Sequence, residues 1–228
     1  MAFYGIHRYQ AGAPMPRHRH VEPYMAIVVE GGYLEAGDGG RVKACPGDVL
    51  LHGPFEAHRD AFRPQGATVL NLPLRSGARP GFGRIADVDA IVRLAERDLR
   101  QASSLGQAKM TACSGSPNDW PDLLADALRD DPNLLITEWA DRLGLAAASV
   151  SRGFARAYGI SPKRFRLEAR VRHAARRLQF WHGSLAALAV ECGFADQAHM
   201  SRALAALTGF TPARLRAKSV QSRVIAPR

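Results

Sequence analysis

Cysteine is scarce in this chain. The three present, Cys45, Cys113 and Cys192, form no CxxC pair, and their odd number argues against a disulfide framework. Long apolar runs are also missing: none approaches the roughly 20 residues needed to cross a bilayer. The opening MAFYGIHRYQ lacks the apolar centre of a secretory signal. These absences predict a reduced, cytoplasmic protein with no membrane partner. Acidic residues run short in one half only. Residues 1–129 hold 15 Lys and Arg against 14 Asp and Glu, whereas residues 130–228 hold 16 against 7, so nearly all of the net +10 sits in the last hundred residues. A neutral module and a basic module that meets a polyanion follow from that asymmetry. At 228 residues, 46% hydrophobic and 23% charged, the chain has room for two small globular domains.

The first 75 residues predict short strands. MAIVVEGGYLEA is a β-branched run interrupted by Gly31-Gly32, a turn signal, and in VKACPGDVLLHGPFEAH the pair Pro46-Gly47 turns into a Val49-Leu50-Leu51 strand. GATVLNLPL supplies another, and the spacing suggests a small barrel or sandwich. Residues 76–83 are loop-like. From 85 to 101, Ile85, Val88, Ile91 or Val92, Ala95 and Leu99 share one face, which predicts one helix. Its apolar stripe needs a cover, either the barrel or a second copy, hence a homodimer. Residues 103–119, rich in Ser, Gly and Pro, predict a linker.

From Trp120 onward the pattern is helical. A short helix stops near Pro132, Thr137 caps ITEWADRLG up to Gly144, and a third helix runs from Ala147 to Tyr158 before Gly159. A long basic helix covers 163–182, Ser184 caps LAALAVECG, and a last helix spans 197–207 before Gly209.

Within this stretch the chain repeats itself. Ala140, Gly144 and Leu145 recur 49 residues later as Ala189, Gly193 and Phe194, while Ser151-Arg152, Gly159 and Pro162 recur 50 later as Ser201-Arg202, Gly209 and Pro212. The extra residue falls in the turn, where insertions cost least. Each copy is helix, glycine turn, helix. Val150 and Phe154, like Met200 and Leu204, are four apart and form a buried stripe. Outward positions are then Ala148, Ser151, Arg152 and Arg156 in copy one and Gln197, Ala198, Ser201 and Arg202 in copy two. Arg, Gln and Ser are side chains that read base edges or bond phosphates.

RVRHAARRL through LAALAVECGFADQAHMSRALAALTGFTPARLR resembles the AraC/XylS family of bacterial transcription regulators over roughly residues 120–217. The resemblance implies two helix-turn-helix units on a connecting helix, entering successive major grooves about one turn apart, ~34 Å. It also implies double-stranded DNA and RNA polymerase as partners. Copy one departs from the pattern, because Ala146-Ala147-Ala148 replaces the expected Ser cap and polar reader. That costs about 1 kcal/mol of capping and predicts that copy one reads less sequence than copy two.

GAPMPRHRHVEPYMAIVVEGG and CPGDVLLHGPFEAHRD resemble the cupin barrel that many members of that family use as a sensor. His18 and His20, two apart, share one strand face. With His58, the resemblance implies a site for one divalent ion (Zn, Ni, Fe or Mn) or for an organic effector that also meets Tyr24. Tyr24 stands where the resemblance expects Glu, and Phe55-Glu56 replaces the Gly before the last His.

The sequence therefore predicts a cupin-like, small all-β sensor barrel over 1–80, a helix and linker over 81–119, an all-α tandem helix-turn-helix domain over 120–217, and a basic tail over 218–228. The function expected is a DNA-binding transcriptional regulator that senses a small molecule or metal and is not an enzyme. A metal-dependent cupin enzyme fused to a DNA-binding module, or a constitutive DNA binder with a structural barrel, are the competing readings.

Overall fold

The computed structural model describes residues 3–74, 80–113, 119–131 and 133–217. The chain divides into two compact units, 1–122 and 123–228. The expected basic tail at 218–228 and the helix stop at Pro132 lie outside the described residues, as does much of the loop expected at 76–83.

The first unit is built on one antiparallel sheet. Its strands are β1 (Gly5–Tyr9), β2 (Pro14–Arg19), β3 (Tyr24–Gly37), β4 (Gly40–Ala44), β5 (Asp48–His52), β6 (Ala57–Pro73), β7 (Gly81–Arg84) and β8 (Thr111–Ala112). The hydrogen-bonded order is β1-β6-β3-β5-β7-β8, with β2 added to β6 and β4 to β3. β3 and β6 pair along nearly their whole lengths, so each serves two sets of neighbours. Gly31 (φ +69°) and Gly32 (φ +159°) do not end a strand, contrary to the sequence expectation. They form a bulge, and the register shifts on either side of Glu30 and Gly31. A Cβ on Gly31 would stand 2.1 Å from the Gly66 carbonyl oxygen, so only glycine allows the two backbones to approach this closely. The turn at Pro46-Gly47 falls where the sequence places it, closed by Asp48 N–H donating to the Cys45 carbonyl at 2.9 Å.

Alternation along β3 builds two cores. Tyr24, Ala26 and Val28 join Tyr33, Leu50, Phe62 and Val69 on one face. Met25 and Ile27 join Val49, Leu70, Leu72, Ile91 and Ala102 on the other. Two helices, α1 (Val88–Ala95) and α2 (Leu99–Lys109), cover that second face where the sequence predicts one helix. The break comes from Asp98, whose carboxylate accepts from the N–H groups of Arg100 and Gln101 and so starts a new helix. The first part of the expected linker is therefore α2. Ser103 and Gly106 are buried there, and a Cβ on Gly106 would meet Met25 Sδ at 3.0 Å.

Several expectations change. The N-terminal unit is not all-β and does not stop at residue 80, since α1, α2, β7 and β8 belong to it. Its sheet is open rather than a closed barrel: among the described residues no pairing joins β1 to β8, and β8 is a two-residue, exposed strand. The apolar stripe of α1 is used against the sheet, so it does not supply the surface from which a homodimer was expected.

The second unit is helical: α3 (Trp120–Asp130), which begins at the boundary, then α4 (Ile136–Arg142), α5 (Ala147–Tyr158), α6 (Pro162–Leu178), α7 (Leu185–Glu191) and α8 (Gln197–Thr208), with a final turn at 212–217. Thr137 is not a cap. α4 begins one residue before it, after Leu135, with no side-chain capping bond. α6 stops at Leu178 instead of continuing to 182, and Trp181 Nε1 donates to the Ser184 carbonyl at 2.9 Å across the connection.

The sequence repeat is a structural repeat. Gly144 and Gly193 adopt φ +64° and +73°, and Gly159 and Gly209 both adopt φ +75°. Leu145 and Phe194 each donate to the equivalent alanine carbonyl, of Ala140 and Ala189, at 2.9 Å. The extra residue lies in the second turn, 192–196 against 143–146. The caps differ. Asp196 accepts from His199 N–H at the start of α8, whereas Ala146 offers α5 no side-chain cap. Asp196→Ala should cost about 1 kcal/mol and Ala146→Ser should return about 0.5–1 kcal/mol, each read as a shift in urea midpoint at constant slope.

Candidate functional site

Two places concentrate chemistry, one in each unit. In the second unit, α5 and α8 occupy equivalent positions in the two copies. Their inner faces are fully buried: Val150, Phe154 and Tyr158 on α5, and Met200 and Leu204 on α8. Ala140 and Ala189, also fully buried, let the partner helices close in. What remains outward on α5 is Ala148, Ser151, Arg152 and Arg156, all exposed. On α8 it is Gln197, Ala198 and Arg202, exposed, with Ser201 half-buried. Arg152 donates to Ser149 Oγ at 3.3 Å, which lays its guanidinium along its own helix. The long helix α6 joins the copies. Ser161 caps it, and the equivalent Thr211 accepts from Arg214 N–H in the same way. Arginines flank this scaffold, and Arg166 is fixed to the Leu134 carbonyl at 2.7 Å.

The first unit gathers titratable side chains on the inner face of its sheet. His18 lies opposite His58 in the β2–β6 pairing. The rings of His18, His20 and His58 have centroids 4.3–5.6 Å apart, and one nitrogen from each lies within 4.8 Å of the others. The three histidines named from sequence thus meet. Tyr24 joins them, its hydroxyl 3.0 Å from His58 Nε2. They line a cavity of about 310 Å³ with Phe3, Met15, Tyr33 and Phe62.

Three residues of this cluster were not foreseen. Glu35 from β3, His52 from β5 and Asp60 from β6 are each about 5–6% exposed, too deep for groups of this polarity unless they act together. Asp60 Oδ1 is 3.0 Å and Glu35 Oε2 3.3 Å from His58 Nδ1, and His52 Nε2 is 3.5 Å from the same Glu35 oxygen. Phe55, in the loop before β6, adopts φ +63°, a conformation that favours glycine. It is the place where the cupin resemblance expects one.

Burial and mutual repulsion sort the imidazoles. Burial lowers His18, His20 and His52 first, and the charge on His58 adds to it; His20 falls to about 4. His58 goes the other way. Burial opposes its charge, but the Glu35 carboxylate and the bonds to Asp60 and Glu35 hold it up to about 10. Glu35 itself is raised by burial. Near neutrality the cluster is one imidazolium among neutral imidazoles. His18 and His20 are thereby ready as ligands, and His58 has a carboxylate behind it, the support that metal-bound histidines ordinarily have. The three-histidine set fits a divalent ion in its donor chemistry.

Residues 139–218 match the family model described as Helix-turn-helix domain. No curated protein matches the chain. Among solved structures, the chain is similar to unsaturated-fatty-acid-bound ToxT from Vibrio cholerae strain SCE256, at 9% identity and a TM-score of 0.44, covering 98% of this chain and 96% of that one. The chain is similar to an AraC-type DNA-binding-domain regulator from Chromobacterium violaceum, at 24% identity and a TM-score of 0.40, over 43% of this chain and 89% of that one. It is also similar to the C-terminal domain of the response regulator AraT from Geobacillus stearothermophilus, at 20% identity and a TM-score of 0.40, over 43% and 84%. Likeness this loose assigns no ligand.

Proposed function

We propose that this chain, which carries an AraC-type helix-turn-helix domain at residues 139–218, is a ligand-responsive transcriptional regulator that reads double-stranded DNA with α5 and α8. The observation that carries the reading is the duplicated device itself. Two helices with matched glycine C-caps, matched glycine turns before them and matched buried stripes present their remaining faces outward, in the half of the chain that holds the +9 charge. Lys and Arg neutralise phosphates and hold register, while the residues toward the front of each reading helix meet base edges.

Arg202 is the side chain to test. Paired with a guanine, it contributes about 1–3 kcal/mol, so Arg202→Ala should weaken binding to the cognate site selectively and relax the preference at one base pair. If it meets only phosphate, the loss should be equal on all sequences, with the salt slope reduced by about one. Unchanged affinity on every sequence would remove α8 as a reader.

The first unit supplies the response. An effector in the 310 Å³ cavity would meet the imidazoles of His18, His20 and His58, the Tyr24 hydroxyl and the rings of Phe3 and Phe62. A divalent ion held by His18, His20 and His58 is the second reading, favoured by the convergence of their nitrogens. Bound there, the ion would serve as the signal itself or as an anchor for an organic ligand. RNA polymerase is the partner through which such a regulator acts. DNA affinity measured with and without candidate metals and small molecules separates a responsive protein from a constitutive binder, and turnover of a substrate panel would reveal an enzyme.

A further inference from the structure

The His58 ring has two edges, and they face different surroundings. Nε2 looks toward the Tyr24 hydroxyl, and the ring as a whole stands beside those of His18 and His20. Nδ1 looks toward Asp60 and Glu35, and there the donor atoms have metal-site spacing. Separations of 3.0 Å to Asp60 Oδ1 and 3.3 Å to Glu35 Oε2 approach the ~3.4 Å between ligands around a tetrahedral ion at ~2.1 Å. All three residues are buried, and the three ligand atoms lie within 4.8 Å of one another.

A second observation points to a ligand. Glu35 Oε2 and His52 Nε2 are buried and complete no well-aligned hydrogen bond, the carboxylate oxygen meeting His58 Nδ1 at 3.3 Å and His52 Nε2 at 3.5 Å. Both residues line a separate cavity of about 150 Å³, which also reaches Gly37, Leu50, Ala57 and Phe82.

We propose that Glu35, Asp60 and Nδ1 of His58 bind one divalent transition-metal ion between the two cavities, Glu35 and His58 lining the smaller and Asp60 and His58 the larger, with His52 Nε2 a further donor beside Glu35. The site is distinct from the three-histidine set and shares only His58 with it. A neutral imidazole has one lone pair, so an ion on Nδ1 excludes an ion on Nε2. Occupation of the buried edge therefore leaves His18, His20 and Tyr24 to an organic effector, and turns His58 into a fixed N–H donor toward that cavity. The inference stands apart from DNA reading and rests on the effector reading only through this shared ring.

The experiment uses full-length protein without a histidine tag, stripped with a chelator and titrated with Co²⁺, whose visible absorption reports coordination. One ion per chain is expected. Glu35→Gln should weaken it at least about tenfold, while the His18→Ala, His20→Ala double variant should change it by less than about threefold. Nitrogen-15 NMR of wild-type protein with Zn²⁺ guards against a misfolded Glu35 variant, and should show His58 metallated at Nδ1 and protonated at Nε2. An ion bound at Nε2, binding that survives Glu35→Gln but not the double variant, or no binding at millimolar metal would each overturn the site.

Discussion

Phe154→Ala should cost about 3–5 kcal/mol and abolish specific DNA binding, although Phe154 itself faces away from the reading surface. Its ring is fully buried, stacked on Tyr158 at 4.6 Å and edge-on to Phe165 at 5.4 Å. That trio ties the first reading helix to the connecting helix α6. α5 has no side-chain cap at its start, so packing must hold it in place. The second copy divides the work differently. Leu204 and Thr208 stand at the equivalent positions, Thr208 Oγ1 donates to the Leu204 carbonyl at 2.7 Å, and Asp196 caps the helix. A loss of this size is a large fraction of the roughly 5–15 kcal/mol that holds a typical domain together. Urea unfolding followed by far-UV circular dichroism would measure it. A stable Phe154→Ala protein with normal DNA affinity would mean that α5 is not anchored as described.

Asp60→Asn should destabilise the first unit by about 3 kcal/mol at neutral pH, somewhat less than complete loss of a buried partner because Glu35 remains beside His58. For a unit of this size the expected drop in melting temperature is roughly 10 °C. The pH dependence identifies the cause. His58 is raised from an ordinary 6.5 to about 10, so its pairing stabilises the fold fully below about pH 6.5 and loses that contribution as pH rises toward 10. The variant should therefore differ most from wild type in acid to neutral buffer and converge with it toward pH 10. His20 acts in the opposite sense. Held down to about 4, it costs stability as pH falls from 6.5 to 4. Thermal melts from pH 5 to 10 test both slopes. A gap between variant and wild type that grows toward pH 10 would contradict the assignment of the charge to His58.

The DNA-reading half was legible because its punctuation is local. Gly144, Gly159, Gly193, Gly209 and the Pro162 and Pro212 pair mark turns by residue type alone, and the spacing between them places each helix. His18 and His20 were legible as a pair from strand parity, although β2 itself ends at Arg19, and His58 of β6 joined them only through the cupin resemblance. Glu35, His52 and Asp60 were not: a bulge hides Glu35, whereas Asp60, two residues from His58, and His52, two from the inward Leu50, share their faces by simple parity. Counting by twos from Tyr24 puts Ala26 and Val28 on the inner face, but the shift at Gly31-Gly32 moves the inner face to Tyr33 and Glu35. β6 switches in the same way: Phe62 faces inward, and beyond Gly66 the inward residues are Ala67 and Val69. Without knowing that two glycines make a bulge and not a turn, Glu35 counts to the wrong side. The break between α1 and α2 was hidden because the apolar period runs through it, and only Asp98 signals the restart. The open sheet could not be read at all, since closure depends on whether the first and last strands meet.

Hydroxyl-radical footprinting of the full-length protein on its cognate DNA tests the tandem reader most directly. Two protected windows on one face of the duplex, about 10–10.5 base pairs apart, are the predicted result, with the window assigned to α8 fading in Arg202→Ala. Protection confined to a single major groove would contradict it.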